Sequence, residues 1–485
     1  MNIHLQSETP FAPPAPVPHP EPLGLLTLLK TLWTNPLEAW AEAHFEQPIV
    51  TANLAIRQVA LVNEPTAVRR VLMDNAANYG REPVQRRIMS SALRNGLLMA
   101  DADQWKRQRR ILAPLFTKKV VRTFAQAMAD AADGLVTRWR GFDGKIIDVA
   151  NESALVTLGV LERTIFSDGL GRNPEEVRDA MRAYFDTIGT IEPFDLLSLP
   201  DFVPRLASLR IGRQLRVFDS AIDTIIENRR RRLAGSGRVD IPKDILTLLL
   251  EARDPDTGEA MSETELRANI ITFIAAGHET TANAVMWSLF LLSRSQEWRD
   301  RVAAEADREC DCPIEDKSDR LVETRAVIEE AIRLYPPIAA ITRAAINADE
   351  LAGVNIKPGA MIVIAPYILH RHRQIWNRPD VFDPHRFFGP TRQSIDRFAY
   401  MPFGFGARMC IGYLFALQEA TLLVSAVLRH FVLEMSPDHE VWPVLKITVR
   451  PKNGLPMRVR LRSQHDLLGG SPFRRGDRHS RTYAA

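Results

Sequence analysis

Apolar residues recur three and four positions apart over most of this chain, which is the spacing that places them on one face of an α-helix. The clearest segments are Ala125–Trp139, Val156–Phe166 and Ile222–Leu233. A shorter apolar stretch, Gly24–Trp33, predicts a helix that packs in the core, with contact to a membrane surface as the alternative. The pattern as a whole predicts a mainly α-helical protein.

Strand signals are few and short. Ile49–Asn63 predicts two strands, Ala340–Ile346 predicts one, and Gly353–Ala365 predicts two more with a turn at Pro358-Gly359 between them. These runs are too few for a sheet protein. They predict a minor β-sheet region attached to one large helical domain.

The two ends of the chain differ in composition from its middle. Residues 1–22 contain seven prolines, which predicts an extended arm without fixed structure. Residues 463–485 are basic and contain Gly and Ser, which predicts a loose tail. No Pro/Gly linker divides the middle, so residues 23–462 are expected to form a single domain.

Composition and charge exclude several classes of protein. The chain has 485 residues, 46% of them apolar, and a net charge of only +3, so nothing global points to nucleic acid. No apolar run approaches the ~20 residues of a membrane span, and no secretory signal is recognisable. Three cysteines, an odd number, argue against a disulfide framework and for a reducing compartment. We expect a cytoplasmic monomer without a transmembrane anchor.

The most specific chemical signal surrounds Cys410, in the run Phe403-Gly-Phe-Gly-Ala-Arg-Met-Cys-Ile-Gly412. A thiol binds a metal as its thiolate, which nearby positive charge favours. Glycines permit tight left-handed turns and a close approach to a flat cofactor. The alternative is an inert buried cysteine in a glycine-containing loop.

This run resembles the cysteine loop of the cytochrome P-450 family of haem-thiolate monooxygenases. The family pattern, Phe-x-x-Gly-x-Arg-x-Cys-x-Gly, is matched by Phe403, Gly406, Arg408, Cys410 and Gly412. The resemblance implies a cytochrome P-450-like helical domain of the soluble bacterial type. It also implies haem b, with Cys410 as the axial thiolate ligand of the iron and the other four as residues of the haem-binding loop.

A second motif, Ala276-Gly-His-Glu-Thr-Thr281, lies in a long apolar helix that Ser262 and Glu265 begin as a capping box. The resemblance implies that Ala276 lines the haem and substrate, that Glu279 relays protons through water, and that Thr280 hydrogen-bonds the oxygen being activated. The alternative is a kinked core helix in which Thr280 bonds its own backbone.

A third motif pairs Glu330 with Arg333, three residues apart on one helix face. Alone it indicates an ordinary surface pair, worth about 0.2–0.5 kcal/mol. The resemblance implies instead a buried structural pair, joined by Arg386 from a later segment.

Haem propionates require cations, since buried carboxylates are costly unless they are paired. The resemblance implies that four residues anchor the propionates. They are Trp105 and Arg109, on one face of the predicted helix Gln104–Phe116, together with Arg343 and Arg408. Any one of these arginines alone would indicate solvated surface.

The reaction implied is insertion of one oxygen atom of O2 into a small apolar substrate, of terpenoid, steroid, fatty acid or aromatic type. Candidate wall residues of the substrate pocket are Leu97, Ala276, Ile338 and Ala339. Pocket shape is expected to depend on Arg81–Leu98 and Ile188–Leu209. The alternatives are a peroxide-driven peroxygenase, an isomerase or dehydratase on the same scaffold, and a non-enzymatic haem-binding sensor.

Electrons must come from a partner, because the chain shows no room for a flavin or iron–sulfur module. We expect a ferredoxin or flavodoxin with its NAD(P)H reductase. Cations around the Trp105 helix predict a basic docking face for an acidic partner, with a merely solvated helix as the alternative. They are Lys106, Arg107, Arg110, Lys118 and Lys119.

Overall fold

The architecture is described from a computed structural model. It describes residues 11–54, 57–83, 93–100, 102–167, 169, 176–177, 179–181, 212–235 and 241–463. The segment 188–209 and the tail from residue 464 onward therefore lie outside the described residues, as do residues 1–10 of the arm.

Helices account for most of the described chain, as the apolar spacing predicts. In chain order they are α1 (Leu25–Thr34), α2 (Glu42–Glu46), α3 (Pro65–Arg69), α4 (Ala102–Leu112), α5 (Lys118–Arg122), α6 (Ala125–Arg140), α7 (Val149–Ile165), α8 (Gly212–Ala234), α9 (Ile245–Glu251), α10 (Glu263–Arg294), α11 (Gln296–Arg308), α12 (Ile314–Arg320), α13 (Val322–Leu334), α14 (Pro366–Leu369), α15 (Gly389–Ser394) and α16 (Tyr413–His430).

Strands form small separate sheets, which confirms the expected minor β region. They are β1 (Ile49–Leu54), β2 (Arg57–Val62), β3 (Tyr79–Gly80), β4 (Ile146–Asp148), β5 (Ile341–Ala345), β6 (Asp349–Leu351), β7 (Val354–Ile356), β8 (Met361–Ile364), β9 (Phe431–Met435), β10 (Pro443–Leu445), β11 (Val449–Pro451) and β12 (Pro456–Leu461). The largest sheet has the order β1-β2-β8-β5-β3. In it β5 pairs antiparallel with both β8 and β3.

The long helix α10 is the centre of the fold. It begins at the predicted capping box, in which the Ser262 side chain accepts from the backbone N–H of Glu265 while the Glu265 side chain reaches back to the Ser262 N–H. Its residues are buried for most of its length, and it packs against α7, α13 and α16. Gly277 lies where α7 comes nearest, since an added Cβ would sit 3.1 Å from Leu161. Helices thus surround α10 and fix its orientation.

The proline-rich arm is more ordered than expected over residues 11–22. The Phe11 carbonyl accepts from the backbone N–H of Phe382 at 3.0 Å, and the Tyr335 hydroxyl donates to the Pro14 carbonyl at 2.8 Å. The Phe11 ring also contacts Phe290 edge-on, with centroids 6.4 Å apart. The expectation of an arm without fixed structure is wrong for these residues, because prolines preorganise an extended segment and a buried tyrosine hydroxyl needs an acceptor.

Helix α1 forms as predicted, but the expectation that it packs in the core is wrong. None of its residues is buried, and Leu26 and Trp33 are 83% and 60% exposed. The leucines and Trp33 lie on one side of the helix, but no described part of the chain buries that side. Across the described residues, no helix has the length and hydropathy needed to cross a membrane.

Candidate active site

The cysteine loop is held in its shape by glycine conformations. Gly404 and Gly406 have φ of +69° and +74°, in the left-handed region that favours glycine. A Cβ on Gly406 would lie 2.2 Å from the carbonyl oxygen of Leu72, so the loop also approaches that segment too closely for any side chain. The turn returns the Cys410 N–H to the Phe403 carbonyl, at 2.9 Å. These constraints present Cys410 at one wall of a cavity.

The protein environment of Cys410 suits a metal ligand rather than a free thiolate. Cys410 has an exposed surface, but this surface lines the cavity and so faces the interior of the protein. Burial raises the pKa of the thiol, while a hydrogen bond from the Gly412 backbone and the charge of Arg109 oppose that rise. The net pKa is above its ordinary value. A bound metal is therefore what would stabilise the thiolate.

The cavity has a volume of about 430 Å³ and a mostly apolar lining. Leu97, Ala276 and Ile338 line it, as the sequence predicts. Ala339 does not: it is 5% exposed, and its carbonyl accepts from the backbone N–H of Tyr367 at 3.2 Å. That bond ties Ala339 to α14, and Ala340 lines the cavity in its place.

The cations proposed for propionates come together at this cavity. Trp105, Arg109, Arg343 and Arg408 all line it. The guanidinium of Arg408 lies over the Trp105 ring, 4.5 Å from its centroid, and Nη1 of Arg109 donates to the Met409 carbonyl at 2.8 Å. The helix α4 and the cysteine loop therefore hold each other in place.

Arg81 is a fourth lining arginine that the motif comparison did not assign to this role. Its Nη2 donates to the Ala100 carbonyl at 3.1 Å, and burial together with the charge of Arg81 lowers the pKa of Arg343. The pairing of β3 with β5, with Gly80 opposite Ala344, brings the two arginines close. The sequence indicates Arg81 only as the start of a segment that shapes the pocket; its place beside Arg343 follows from this pairing, and a two-residue strand gives almost no sequence signal.

Charge at the cavity is strongly one-sided. Among its described lining residues there are four arginines and no carboxylate. Like charges brought close in a partly buried site favour an anionic ligand, because each charge raises the free energy of the other and an anion offsets this repulsion. A flat dianionic group that also offers a metal to Cys410 fits this arrangement, and haem has both properties.

A second wall of the cavity is formed by α10. Ala276 and Thr280 line the cavity. The Thr280 hydroxyl donates to the Ala276 carbonyl at 2.6 Å, which is the backbone bond that the sequence left open as an alternative. Glu279 accepts at Oε1 from the hydroxyl of Thr448, also at 2.6 Å. The sequence gives no hint of Thr448, which lies 169 residues from Glu279.

Glu330 and Arg333 form a buried ion pair behind the cysteine loop. Nε and Nη2 of Arg333 donate to the two Glu330 carboxylate oxygens at 2.6 and 2.8 Å, and both side chains have no exposed area. Arg386 lies 3.6 Å from the same carboxylate, beyond hydrogen-bond distance, and burial lowers its pKa. Arg333 also donates to the His370 carbonyl at 2.7 Å, and His370 in turn accepts from the backbone N–H of Met401 at 2.9 Å. The pair thus supports the segment that leads into the loop.

The predicted basic docking face is largely neutralised. Acids pair with four of its five cations, one from the same helix and three from distant segments, giving a face of mixed charge. The ion pairs are Lys106–Asp103 (3.2 Å), Arg107–Glu265 (2.9 Å), Arg110–Asp254 (2.9 Å) and Lys118–Asp319 (3.0 Å).

Cys310 and Cys312 are partly exposed free thiols. No group of three or more His, Cys, Asp and Glu side chains that could hold a metal occurs within the described part of the chain. A thiolate-ligated cofactor at Cys410 needs only one protein ligand, so this finding leaves the cavity as the candidate site.

Comparison with known proteins agrees with the geometry. The family model of cytochrome P450 matches residues 13–456. Among curated proteins, the chain is 30% identical to cyclooctatin synthase of Streptomyces melanosporofaciens over 441 residues, covering 87% of this chain and 91% of that protein. It is 34% identical to pentalenene oxygenase of Streptomyces avermitilis over 374 residues, covering 76% and 79%.

A solved structure shares the whole fold. The haem domain of cytochrome P450DA aligns with a TM-score of 0.79 at 26% identity, over 93% of this chain and 99% of that one. The expected fold class is confirmed. The family uses haem b with a cysteine thiolate on the iron, so the expected cofactor is confirmed as well. The chain belongs to the cytochrome P450 family of haem-thiolate monooxygenases.

Proposed function

We propose that this protein hydroxylates a small apolar substrate of terpenoid type, inserting one oxygen atom of O2 with electrons from a separate ferredoxin or flavodoxin and its NAD(P)H reductase. The observation that carries the proposal is one cavity lined by Cys410, by Thr280 and by four arginines, with no carboxylate among its described lining residues. One relative is named for the oxygenation of pentalenene, which makes that hydrocarbon the first compound to test.

The haem supplies the activation of dioxygen when it is bound. Cys410 would hold the iron as a thiolate, which pushes electron density toward the oxygen. Arg81, Arg109, Arg343 and Arg408 would pair with the propionates, since charge-assisted bonds to carboxylates are the strong ones. Phe403, Gly406 and Gly412 would shape the loop.

The chain's own residues on α10 would manage protons. The Thr280 hydroxyl lines the cavity and can exchange its Ala276 bond for one to an oxygen atom there. Glu279, the preceding residue, would carry protons to it. Ala276 leaves room beside the cofactor because its side chain is a single methyl group.

The cavity favours a hydrocarbon substrate. Leu97, Phe273 and Ile338 contribute apolar walls, and the only polar side chains of α10 that line it are threonines. A charged substrate would lose its hydration there without gaining a partner on that side. Binding of fatty acids, steroids or aromatic compounds in place of terpenoids would redirect the substrate class while leaving the monooxygenase assignment intact.

The test begins with carbon monoxide difference spectra of the reduced protein. The parent is expected to show the red-shifted Soret band of thiolate ligation, and Cys410→Ser is expected to lose it. A mutant that keeps the band overturns the ligand assignment.

Pentalenene and representatives of the other classes are then titrated, with displacement of water from the iron as the readout. Hydroxylated product that requires NAD(P)H and both redox proteins supports the proposal. Equal turnover with hydrogen peroxide alone would favour the peroxygenase. No turnover, either with the redox proteins or with peroxide, would favour a sensor.

We also propose a cytoplasmic monomer. The three cysteines are free, in keeping with a reducing compartment. Light scattering of the haem-loaded protein at several concentrations tests the oligomeric state; a dimer mass would overturn it.

A further inference from the structure

The hairpin of β10 and β11 enters the active site with its turn. Pro443–Leu445 pairs antiparallel with Val449–Pro451, and the Lys446 N–H donates to the Thr448 carbonyl at 3.1 Å to close the turn. Ile447, at the tip, lines the cavity. Its neighbour Thr448 is only 2% exposed and faces α10 instead. Two adjacent residues therefore contact the substrate space and the proton-carrying acid.

The hydrogen-bond direction at Thr448 is determined by its partners. Nδ2 of Asn283 donates to the Thr448 hydroxyl at 2.7 Å, and an amide NH2 can only donate. Thr448 must then give its single hydroxyl proton to Oε1 of Glu279, at 2.6 Å. Asn283 is 4% exposed, so this chain of bonds is shielded from competing water. The hydroxyl binds one carboxylate oxygen of Glu279 and fixes where the other points.

The hairpin is attached to the same helix at a second point. The Trp287 indole N–H donates to the Val449 carbonyl at 3.0 Å, one helical turn after Asn283. On its other edge, the Val449 N–H donates to the carbonyl of Pro337, another residue that lines the cavity. The hairpin is thus anchored at Val449, and a shift of its tip acts on the bond between Thr448 and Glu279.

We propose that Thr448 is the positioning residue of Glu279, and that the hairpin tip couples substrate occupancy to proton delivery. With the cavity empty, Thr448 holds Glu279 away from Thr280. A substrate that contacts Ile447 displaces the tip, lengthens the bond from Thr448 and releases the carboxylate, which takes a proton from water and passes it toward Thr280. Protons then reach the oxygen chiefly when a substrate is present. This inference rests on the proposed monooxygenase function and adds its regulation.

The first test uses the haem-loaded protein with Thr448→Val, which removes the hydroxyl at nearly constant volume, and Thr448→Ser, which keeps it. The readouts are the fraction of NAD(P)H electrons recovered in product and the solvent deuterium isotope effect on kcat. Thr448→Val is expected to lower the coupled fraction about fivefold, the factor of one ordinary hydrogen bond, and to change the isotope effect. Thr448→Ser is expected to restore both. A valine variant that couples like the parent, or a serine variant as poor as valine, overturns the positioning role.

The second test addresses the link to substrate. Ile447→Ala shortens the side chain that would sense the substrate, and it is combined with Thr448→Val in a double-mutant cycle. If both act through one path, Ile447→Ala lowers coupling in the parent and adds little in the valine background. Fully additive effects overturn the link.

Crystal structures with and without substrate give a readout independent of activity. The Thr448 Oγ1 to Glu279 Oε1 distance is expected to exceed hydrogen-bond range with substrate bound. An unchanged bond contradicts the mechanism.

Failure of the inference is distinguishable from failure of the proposed function. All variants keep Cys410 and the cations, so each is expected to retain the thiolate band under carbon monoxide. A parent without that band overturns the function and the inference together. A parent with the band and normal turnover, unaffected by Thr448→Val, overturns the inference alone.

Discussion

The two walls of the cavity are encoded in different ways. The cysteine wall is a ten-residue run whose glycine φ angles and return bond from Cys410 to Phe403 are local. The α10 wall depends on a contact between residues far apart in sequence, since the bond that orients Glu279 comes from Thr448, 169 residues away. A ligand loop can therefore be recognised from a motif, whereas the setting of the acid can be seen only once the chain is folded.

The largest expected effect comes from breaking the support behind the cysteine wall. Arg333→Met leaves the Glu330 carboxylate buried without its main partner, and removing one partner of a buried pair costs about 3–5 kcal/mol. Urea unfolding and haem retention measure the loss. If Arg333→Met is as stable as the parent, the cysteine wall does not depend on this pair.

The matched control is Arg392→Met. Arg392, in α15, has a side chain that is 39% exposed and pairs at 3.1 Å with Glu329, the neighbour of Glu330 on α13. Because the arginine is open to solvent, such a pair is worth about 0–1 kcal/mol, and a much smaller loss is expected than for Arg333→Met. Equal losses in both variants would mean that removal of any arginine on this side, rather than of the buried charge, is responsible.

Next in size is a direct test of how locally the loop is encoded. Gly406→Ala and Gly404→Ala both place a Cβ at positive φ, which costs about 1–2 kcal/mol. Gly406→Ala adds a clash with the Leu72 carbonyl at 2.2 Å, whereas at Gly404 the nearest atom is the side-chain end of Ile341 at 3.6 Å. Thermal unfolding and the thiolate band are expected to suffer more in Gly406→Ala. Equal effects would show that conformation alone, without the contact to Leu72, specifies the loop.

The third prediction concerns pH. Burial, aided by the charge of Arg333, lowers the pKa of His370 from 6.5 to about 3. The unfolded chain binds a proton below pH 6.5 that the folded chain refuses, so this stabilisation is present above pH 6.5 and is lost as pH falls toward 3. The slope is about 1.4 kcal/mol per pH unit, or about 2 kcal/mol between pH 6.5 and 5.

His370→Asn supplies the comparison for that slope, because an amide oxygen can still accept from the Met401 N–H but does not titrate. Denaturant midpoints measured from pH 7.5 to 5 are expected to fall more steeply in the parent. Parallel curves would mean that His370 is protonated in the folded protein and that its site is less dry than its burial indicates.

The smallest expected effect concerns the arginines at the cavity. It compares Arg81, which only the folded structure places beside Arg343, with the arginines that the motifs identify. Arg81→Gln removes one of four arginines at the cavity and is expected to raise the rate of haem loss about tenfold, the equivalent of one charge-assisted bond. Arg109→Gln is the reference from the motif set. If Arg81→Gln keeps haem as well as the parent, the propionates are held by the motif residues alone.

Sequence reasoning succeeded where a few neighbouring residues determine the structure. The capping box at Ser262, the helix periods and the cysteine loop are of that kind. It failed for Ala339, whose direction is set by a bond to Tyr367, and for the docking cations, whose charges are met by acids such as Asp254 and Asp319. Contacts of this sort contribute ordinary energies, but the spacing of residues along the sequence does not show which residues will meet.

Helix α1 is a further case in which the sequence pattern did not determine burial. Its leucines have the composition of a core helix, and yet none is buried. Burial depends on a partner surface, which a ten-residue pattern does not contain. The arm before it has the opposite outcome, because Tyr335 and Phe382 supply the partners that its prolines alone do not reveal.

That arm has a consequence for the order in which the protein is made. Phe11 is synthesised early, but the residues it contacts, Phe290 and Phe382, follow some hundreds of positions later. At about 5–20 residues per second on the ribosome, the arm waits for tens of seconds before its binding groove exists. During that interval its prolines keep it out of helices and sheets. Docking of the arm therefore cannot be completed before Phe382 is synthesised, and chaperones have a long window in which to bind it.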